Sequence, residues 1–314
     1  MPRSELHGTI VPLVTPFGDG ESFDAPALRR LIAWVLEQGA DALMPTALTG
    51  EGPTLTEDET LAVWEVVFEE AGDRVPVVPA VIATTTGRAV RLVQAAQERG
   101  AAAVMAAPIL AELYTGRSGA DALGFYEDVG KATSLPILLF NYPALTGIDL
   151  TPDLVARLAA VDNVRYIKES SGDARRVHRI QRLLGDRLSV ICGAPDTALE
   201  SLALGCRAWI TGVMNVAPRS ARQLMRAVRE RGDLALARRI YYQQILPLVD
   251  MLTRNSNATG TIKAGVSARG LSVGVPRRPG RDVAREDRRA LEALVAEIER
   301  AEAQTAGELD NATT

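Results

Sequence analysis

In this chain of 314 residues, the residue that most clearly could take part in a chemical reaction is Lys168, within Tyr166-Ile167-Lys168-Glu169-Ser170-Ser171-Gly172. It follows a short apolar run and precedes a Ser-Ser-Gly turn, a position typical of the carboxyl end of a strand, where α/β proteins place their chemistry. Apolar surroundings lower the pKa of a lysine, and the neutral amine attacks carbonyl carbons to form an imine. Taken alone, the segment also fits a solvated lysine at a strand end, so the surrounding elements must decide between the two.

Eight short apolar runs, each followed by an amphipathic helical pattern, make up most of the sequence. Because these runs are continuously apolar rather than alternating, they indicate strands buried on both faces of a parallel sheet. Eight such units predict an α/β fold, a (β/α)8 TIM barrel with a C-terminal helical extension. A doubly wound sheet is the alternative fold, but no Gly-x-Gly-x-x-Gly turn follows the first run. The predicted strands are Gly8–Val14, Ala42–Pro45, Val77–Ile82, Ala102–Ala106, Pro136–Asn141, Val164–Lys168, Leu188–Cys192 and Ala208–Gly212.

The predicted organisation has three parts: the barrel over residues 1–230, a helical segment packed on it over residues 231–303, and a disordered tail over residues 304–314. The tail is small and polar, which favours fraying. The helical segment is predicted to hold three helices separated by two loops. The helices are Leu234–Thr253, Ile262–Gly270 and Arg285–Ala303, and the loops are Asn255–Gly260 and Val273–Gly280.

Composition narrows the range of partners. The net charge of −4 gives no indication of a nucleic-acid partner. No apolar stretch approaches the roughly 18 residues of a membrane-spanning helix. The N-terminus lacks the apolar core of a signal peptide, so a cytoplasmic location is expected.

Cys192 and Cys206 lie in apolar segments and are predicted to be reduced core residues. The two histidines, His7 and His178, form no cluster with the cysteines, so no metal site is predicted.

Two more segments that could bind or transform a substrate follow predicted strands. After the second strand, Thr46-Ala47-Leu48-Thr49-Gly50-Glu51-Gly52 offers backbone N–H groups and a threonine hydroxyl that could cradle a carboxylate, although it also fits an ordinary glycine-containing turn. After the fifth strand, Phe140-Asn141-Tyr142-Pro143-Ala144-Leu145-Thr146-Gly147 has turn chemistry, and the proline holds the preceding tyrosine extended. A carboxylate cradle and an imine-forming lysine at the same end of one barrel would together recognise a 2-oxo acid.

In combination, these segments resemble the dihydrodipicolinate synthase/N-acetylneuraminate lyase family of class I aldolases. The resemblance extends from about His7 to about Pro279. The matching segments are Val14-Thr15-Pro16-Phe17, Leu48-Thr49-Gly50-Glu51, Asn141-x-Pro143 with Thr146-Gly147, Ile167-Lys168-Glu169, Cys192-Gly193-Ala194-Pro195-Asp196 and Ile262-Lys263-Ala264.

The resemblance implies a Schiff base between Lys168 and the ketone of pyruvate or a related 2-oxo acid. Thr49 and the backbone amides beside it, at Leu48 and Gly50, would bind the carboxylate. Gly193 and the backbone carbonyl of Ile210 would line the pocket. Members of the family are commonly homotetramers and need no metal or organic cofactor.

The sequence departs from the family pattern at the positions of its proton relay. Phe140 stands where the family has its catalytic tyrosine, and Leu48 replaces the first threonine of the cradle. The strand-four motif Pro-Tyr-Tyr reads Pro108-Ile109-Leu110, and Leu145 replaces the arginine that grips a second carboxylate in true dihydrodipicolinate synthases. Losing one positioned acid or base typically costs about 10²–10⁴-fold in rate. An apolar pocket around a retained lysine is therefore predicted, and neither dihydrodipicolinate synthesis nor sialic-acid cleavage is expected.

Other groups could carry the proton instead. Tyr142 falls on the same side of a regular strand as the missing hydroxyl, and Tyr114 lies in an extended loop after the fourth strand. Glu51 and Glu169 are also candidates, although their usual role in the family is to bond nearby backbone. The remaining polar candidates at the pocket mouth are Ser170, Ser171 and Thr211.

The leading expectation is a lyase that forms an imine with a 2-oxo acid and performs aldol cleavage, addition or dehydration on a less polar substrate, such as one with an aromatic or alkyl aldehyde partner. A cyclic-imine deaminase of hydroxyproline-type catabolism is one alternative, because its substrate also passes through a lysine adduct. A non-catalytic paralogue that binds a keto acid as a sensor or partner subunit is another, motivated by the lost hydroxyls.

Overall fold

The computed structural model describes residues 5–108, 119–254 and 257–311. Eight parallel strands lie in the order β2-β1-β8-β7-β6-β5-β4-β3, and a bridge between Leu43 and Val77 joins the two ends of this order. The predicted (β/α)8 barrel is confirmed. Its strands are β1 Gly8–Pro12, β2 Ala42–Met44, β3 Ala80–Ala83, β4 Val104–Pro108, β5 Ile137–Asn141, β6 Val164–Glu169, β7 Ser189–Cys192 and β8 Ala208–Ile210.

Helices follow the strands around the outside of the barrel. Local capping starts several of them: Thr56 and Glu59 form the capping box of α2, and the Asp24 carboxylate accepts a hydrogen bond from the Ala27 N–H in α1. These helices are α1 Ala25–Glu37, α2 Glu57–Ala71, α3 Thr86–Glu98, α4 Gly119–Ala132, α5 Pro143–Thr146, α6 Pro152–Leu158, α7 Arg175–Leu184, α8 Ala198–Ala203 and α9 Pro218–Met225.

Each predicted strand overlaps an observed one, and the start of the third is displaced furthest, by three residues. It begins at Ala80 rather than Val77, and Val77 forms only the isolated bridge to Leu43. Pro76 and Pro79 flank this stretch, and a proline has no N–H group to donate to a strand ladder. The regular strand therefore starts after the second proline.

The helical extension comprises α10 Leu234–Ile240, α11 Leu246–Arg254, α12 Ala258–Ala268 and α13 Arg285–Asn311, with a π-helical turn between α10 and α11. Two predictions are corrected here. The predicted loop through Gly260 ends earlier, because the Asn257 side chain accepts the Gly260 N–H and caps α12. The predicted tail from residue 304 is helical as far as Asn311, because Thr305 and Leu309 are buried against the rest of the extension.

The apolar core has two layers, one inside the barrel and one between the strands and the surrounding helices. Alternate residues of a strand face opposite sides. On β6, Tyr166 belongs to the interior cluster and Ile167 to the outer one. Lys168 therefore faces the barrel interior at the carboxyl end of its strand. No helix within the described ranges is long and apolar enough to span a membrane.

Candidate active site

A cavity of about 630 Å³ opens at the carboxyl ends of the strands. It is bounded by the loop after β2, the ends of β5 to β8 and the helices α11 and α12. Its apolar and aromatic lining faces a group of hydroxyls, and among the described residues no arginine lines it. The lining side chains used below are Leu48, Thr49, Phe140, Tyr142, Lys168, Ser170, Ser171, Gly193, Ile210, Thr211, Val249, Leu252 and Ile262.

Lys168 is the only amine in this described lining. Burial lowers the pKa of Lys168 to about 8, because an ammonium is poorly solvated in this setting. Within the described ranges no carboxylate pairs with its Nζ, which lies 4.8 Å from the centre of the Phe140 ring. A lowered pKa leaves a larger share of the amine neutral near neutral pH, which is what attack on a ketone requires.

Gly193, directly after β7, allows the lysine to occupy this position. A Cβ atom added at Gly193 would overlap Ser170 Oγ and would lie 2.8 Å from Lys168 Cγ. The Gly193 N–H donates to the Glu169 carbonyl oxygen at 2.8 Å, which holds the two strand ends together. Glycine is therefore required where the lysine stem crosses the neighbouring strand.

Phe140 and Tyr142 lie two residues apart at the end of β5, and both line the cavity. Their ring centres are 6.2 Å apart in an edge-to-face arrangement. Phe140 is buried, whereas Tyr142 is 39% exposed and places its ring at the rim. Leu145, at the position of the family's carboxylate-binding arginine, is 47% exposed on α5 and does not line the cavity.

The loop after β2 forms a tight turn in which Glu51 N–H donates to Leu48 O at 2.9 Å. The backbone N–H groups of Leu48, Thr49 and Gly50 have no acceptor among the described residues. A Cβ atom at Gly50 would lie 2.6 Å from the Leu13 carbonyl oxygen, so the turn packs closely on the end of β1. Buried amides are nearly always paired, and unpaired ones beside a cavity are suited to an anion.

The two glutamates considered as proton carriers point elsewhere. Glu169 accepts hydrogen bonds from Asn141 Nδ2 at 2.9 Å and from Ser171 N–H at 2.6 Å. Glu51 accepts one from the backbone N–H of Arg277 at 2.9 Å, and its other oxygen lies 2.6 Å from Lys263 Nζ. Neither carboxylate lines the cavity, and both bond to neighbouring protein groups instead.

Three hydroxyl candidates do line the cavity. Ser170 Oγ is buried without a hydrogen-bond partner among the described residues, whereas Ser171 Oγ accepts the Asp173 N–H. Thr211 is 4% exposed and follows β8. Tyr114 lies outside the described residues.

One wall of the cavity comes from helices whose sequence gives little sign of it. Val249 and Leu252 of α11 and Ile262 of α12 line the side opposite the strand ends. The only sequence signal for this wall is the Ile262-Lys263-Ala264 match to the family. The whole arrangement can hold a ketone at the lysine, a carboxylate at the turn after β2 and an apolar group against the helices.

The profile of the dihydrodipicolinate synthetase family matches residues 5–298. The chain belongs to this family. The predicted family is confirmed, and with it the broad class of lyase to which its members belong.

Individual relatives agree over most of their length. A 4-hydroxy-tetrahydrodipicolinate synthase of Syntrophus aciditrophicus (strain SB) is 35% identical over 263 residues, covering 84% of this chain and 88% of the relative. The crystal structure of dihydrodipicolinate synthase from Aquifex aeolicus superposes with a TM-score of 0.86 at 30% identity, covering 94% of this chain and 98% of that one. The pyruvate complex of the chloride-inhibited dihydrodipicolinate synthase from Acinetobacter baumannii gives a TM-score of 0.88 at 27% identity, covering 94% and 99%.

Proposed function

We propose that this protein is a lyase that forms a Schiff base between Lys168 Nζ and the ketone of pyruvate or another 2-oxo acid, and that its substrate carries an apolar distal group. The observation that carries the proposal is the amine of Lys168, unpaired among the described residues and with its pKa lowered to about 8, at the base of a cavity at the carboxyl end of the barrel. The Acinetobacter relative, bound to pyruvate, supports the choice of a 2-oxo acid.

The reaction follows from imine chemistry. The neutral amine attacks the ketone carbon, the adduct takes up a proton and loses water, and a cationic iminium forms. In aldol cleavage, a base takes the proton of the substrate hydroxyl, and the electrons of the broken C–C bond move to the iminium nitrogen and give an enamine. An aldehyde departs, the enamine carbon takes up a proton, and water hydrolyses the imine to release the 2-oxo acid. Addition is the reverse sequence.

The turn after β2 supplies the second contact of the proposal. The unpaired amides of Thr49 and Gly50, with the Thr49 hydroxyl, would bind the carboxylate through neutral donors. This leaves Lys168 as the only cationic group in the described lining, and the iminium retains that charge once the bond has formed.

The apolar wall supports a less polar partner. Leu48, Phe140, Val249, Leu252 and Ile262 bound the space beyond the lysine. An alkyl or aromatic aldehyde would bury its apolar surface there, at about 25 cal/mol for each Å² removed from water. A second carboxylate on the substrate would meet no arginine in the described lining. This argues against 4-hydroxy-tetrahydrodipicolinate synthesis, the reaction after which the Syntrophus relative is named.

Reductive trapping tests the proposal directly. The chain has only three lysines, so the adduct can be assigned unambiguously. Lys131 is exposed and Lys263 is buried in an ion pair. Incubation with pyruvate and cyanoborohydride, followed by peptide mass mapping, is expected to modify Lys168 alone. Lys168→Ala is the negative control, and Lys131→Ala is the matched control that should trap normally. No adduct at Lys168 would refute the proposal.

A substrate panel then separates the possible reactions. Consumption of 2-oxo acids with alkyl or aromatic distal groups would support the lyase. Consumption of a hydroxyproline-derived cyclic imine would favour the deaminase instead. Trapping at Lys168 with no turnover of any compound would indicate a keto-acid-binding paralogue, which the phenylalanine at position 140 also fits.

A further inference from the structure

The turn after β2 contains two residues in a strained backbone conformation, which contacts with the surrounding structure must stabilise. Thr46 and Glu51, which bracket the turn, adopt positive φ angles of 58° and 55°, although neither is glycine. Side chains rarely adopt this conformation, and it persists where the surrounding structure imposes it. The contacts of Thr46 and Glu51 therefore both help to hold the shape of the turn that carries Thr49 and Gly50.

Glu51 is held by the C-terminal extension rather than by the barrel. Its Oε1 lies 2.6 Å from Lys263 Nζ in α12, and the two side chains are 8% and 1% exposed. Lys263 Nζ also donates to the Val275 carbonyl oxygen at 3.1 Å and lies 4.3 Å from the centre of the Phe17 ring. The ammonium is thus fixed from three sides, and it fixes the carboxylate of Glu51 in turn.

The neighbouring residue of the same helix, Ile262, shares a packing site with the turn at Gly212. A Cβ atom at Gly212 would lie 2.6 Å from Ile262 Cδ1 and 3.3 Å from Thr49 Oγ1, so both side chains pack on this glycine. Removing one partner of a buried ion pair leaves an uncompensated charge, whereas replacing both is often neutral for stability. Such a pair can nevertheless fix the geometry of the residues around it.

We propose that Lys263 is a positioning residue for the carboxylate of the substrate: its ion pair with Glu51 holds the turn at Thr49 and Gly50 in its anion-binding shape. This inference rests on the proposed function, because it assumes that the turn binds the carboxylate of a 2-oxo acid. Lys263 itself touches no substrate, since it is buried and does not line the cavity.

Two ketones of similar size test this role. Pyruvate has a carboxylate and hydroxyacetone has none, so only pyruvate uses the turn. Trapping at Lys168 is measured against the concentration of each ketone. In Lys263→Met and in Glu51→Gln, the half-saturating concentration of pyruvate is expected to rise about 10- to 100-fold, the usual range for lost hydrogen bonds to a charged group. The value for hydroxyacetone is expected to stay within about twofold.

The double variant Lys263→Met/Glu51→Gln removes both charges and guards against misfolding of either single variant. It is expected to show the same selective loss. Glu302→Gln is the matched control, because it breaks the buried pair of Glu302 with Arg269, which follows α12, and neither residue lines the cavity. It should leave both ketones unaffected.

Each outcome is decisive. Unchanged pyruvate binding in folded variants, an equal loss for both ketones, or the same selective loss in the control would overturn the positioning role while leaving the proposed function intact. Absence of any pyruvate adduct in the unmodified protein would refute the proposed function, and the positioning role with it.

Discussion

Phe140 and Lys168 are direct partners in the register of β5 and β6, and the lysine Nζ lies 4.8 Å from the centre of the phenyl ring. An aromatic face attracts a cation but neither gives nor takes a proton. In the position where the family has a tyrosine, this chain thus has a group that favours the charged forms of the lysine, including an iminium. The proton must reach the reacting carbon by another route.

Imine formation should depend on pH in a way that an ordinary lysine does not. Burial lowers the pKa of Lys168 to about 8, so roughly a tenth of the amine is neutral at pH 7. Initial rates of trapping with pyruvate, measured from about pH 6 to about pH 10, are expected to reach half of their maximum near pH 8 and to level off above about pH 9. A rate that still climbs at the upper end would show that the amine is not desolvated.

The buried amine should cost stability. Protonated Lys168 is disfavoured in the fold, so Lys168→Met is expected to raise the free energy of unfolding by about 1–3 kcal/mol at neutral pH. Because the pKa falls from 10.5 in an unperturbed lysine to about 8, the gain is complete below pH 8 and fades as the pH approaches 10.5. Urea denaturation at several pH values measures it. Lys131→Met, at an exposed lysine, should change nothing, and an equal gain there would contradict the explanation.

Restoring the family's hydroxyl should open a proton path. Phe140→Tyr keeps the aromatic face beside Lys168 and adds a group that can exchange protons. Exchange of the pyruvate methyl hydrogens in heavy water, followed by NMR, is expected to accelerate about tenfold or more. Phe140→Leu, which removes the ring without adding a hydroxyl, is the control and should not accelerate it. An unchanged rate in Phe140→Tyr would mean that another group already moves the proton efficiently.

Ser170 is the hydroxyl best placed to move the proton in the unmodified protein. Its Oγ is buried and unpaired among the described residues, and it lies beside the Lys168 stem at Gly193. Ser170→Ala is expected to slow methyl exchange about 10²-fold while trapping persists. Ser171→Ala is the neighbouring control, since its hydroxyl already accepts the Asp173 N–H. A loss in Tyr142→Phe with none in Ser170→Ala would assign the role to Tyr142.

Gly193 should tolerate no side chain. In Gly193→Ala the new methyl group would overlap Ser170 Oγ and crowd Lys168 Cγ, so trapping is expected to fall at least about tenfold, with a loss of about 1–3 kcal/mol in stability. Gly124→Ala in α4 is the matched control, because a Cβ there meets nothing within 4 Å and should stabilise the helix by about 0.5–1 kcal/mol. Normal trapping in Gly193→Ala would show that the strand ends can separate.

The barrel could be predicted because its signals are local. Apolar runs and capping residues such as Thr56 lie within a few positions of the elements they define, and Lys168 is the penultimate residue of its strand. The resemblance to the family then assigned the segments at the ends of three strands to one predicted site. The strand bounds were less predictable, as at Ala80, where two prolines delay the regular ladder.

The parts that could not be predicted depend on contacts across the chain. The wall formed by α11 and α12 reaches the cavity only through the packing of the extension on the barrel. The pairing of Glu51 with Lys263 joins residues that are far apart in sequence, and no local pattern signals it. The final helix continues to Asn311 because Gln244 and its neighbours bury its last turns.

Ile262 and Lys263 are consecutive on α12, yet one faces the cavity and the other the turn after β2. In a redesign of this protein for a bulkier aldehyde, one of these two adjacent positions is therefore suited to substitution and the other is not. The first is buried and can be made smaller to enlarge the space for the aldehyde. The second should be retained, because in the proposed positioning role a change at Lys263 would weaken binding of the carboxylate of every substrate.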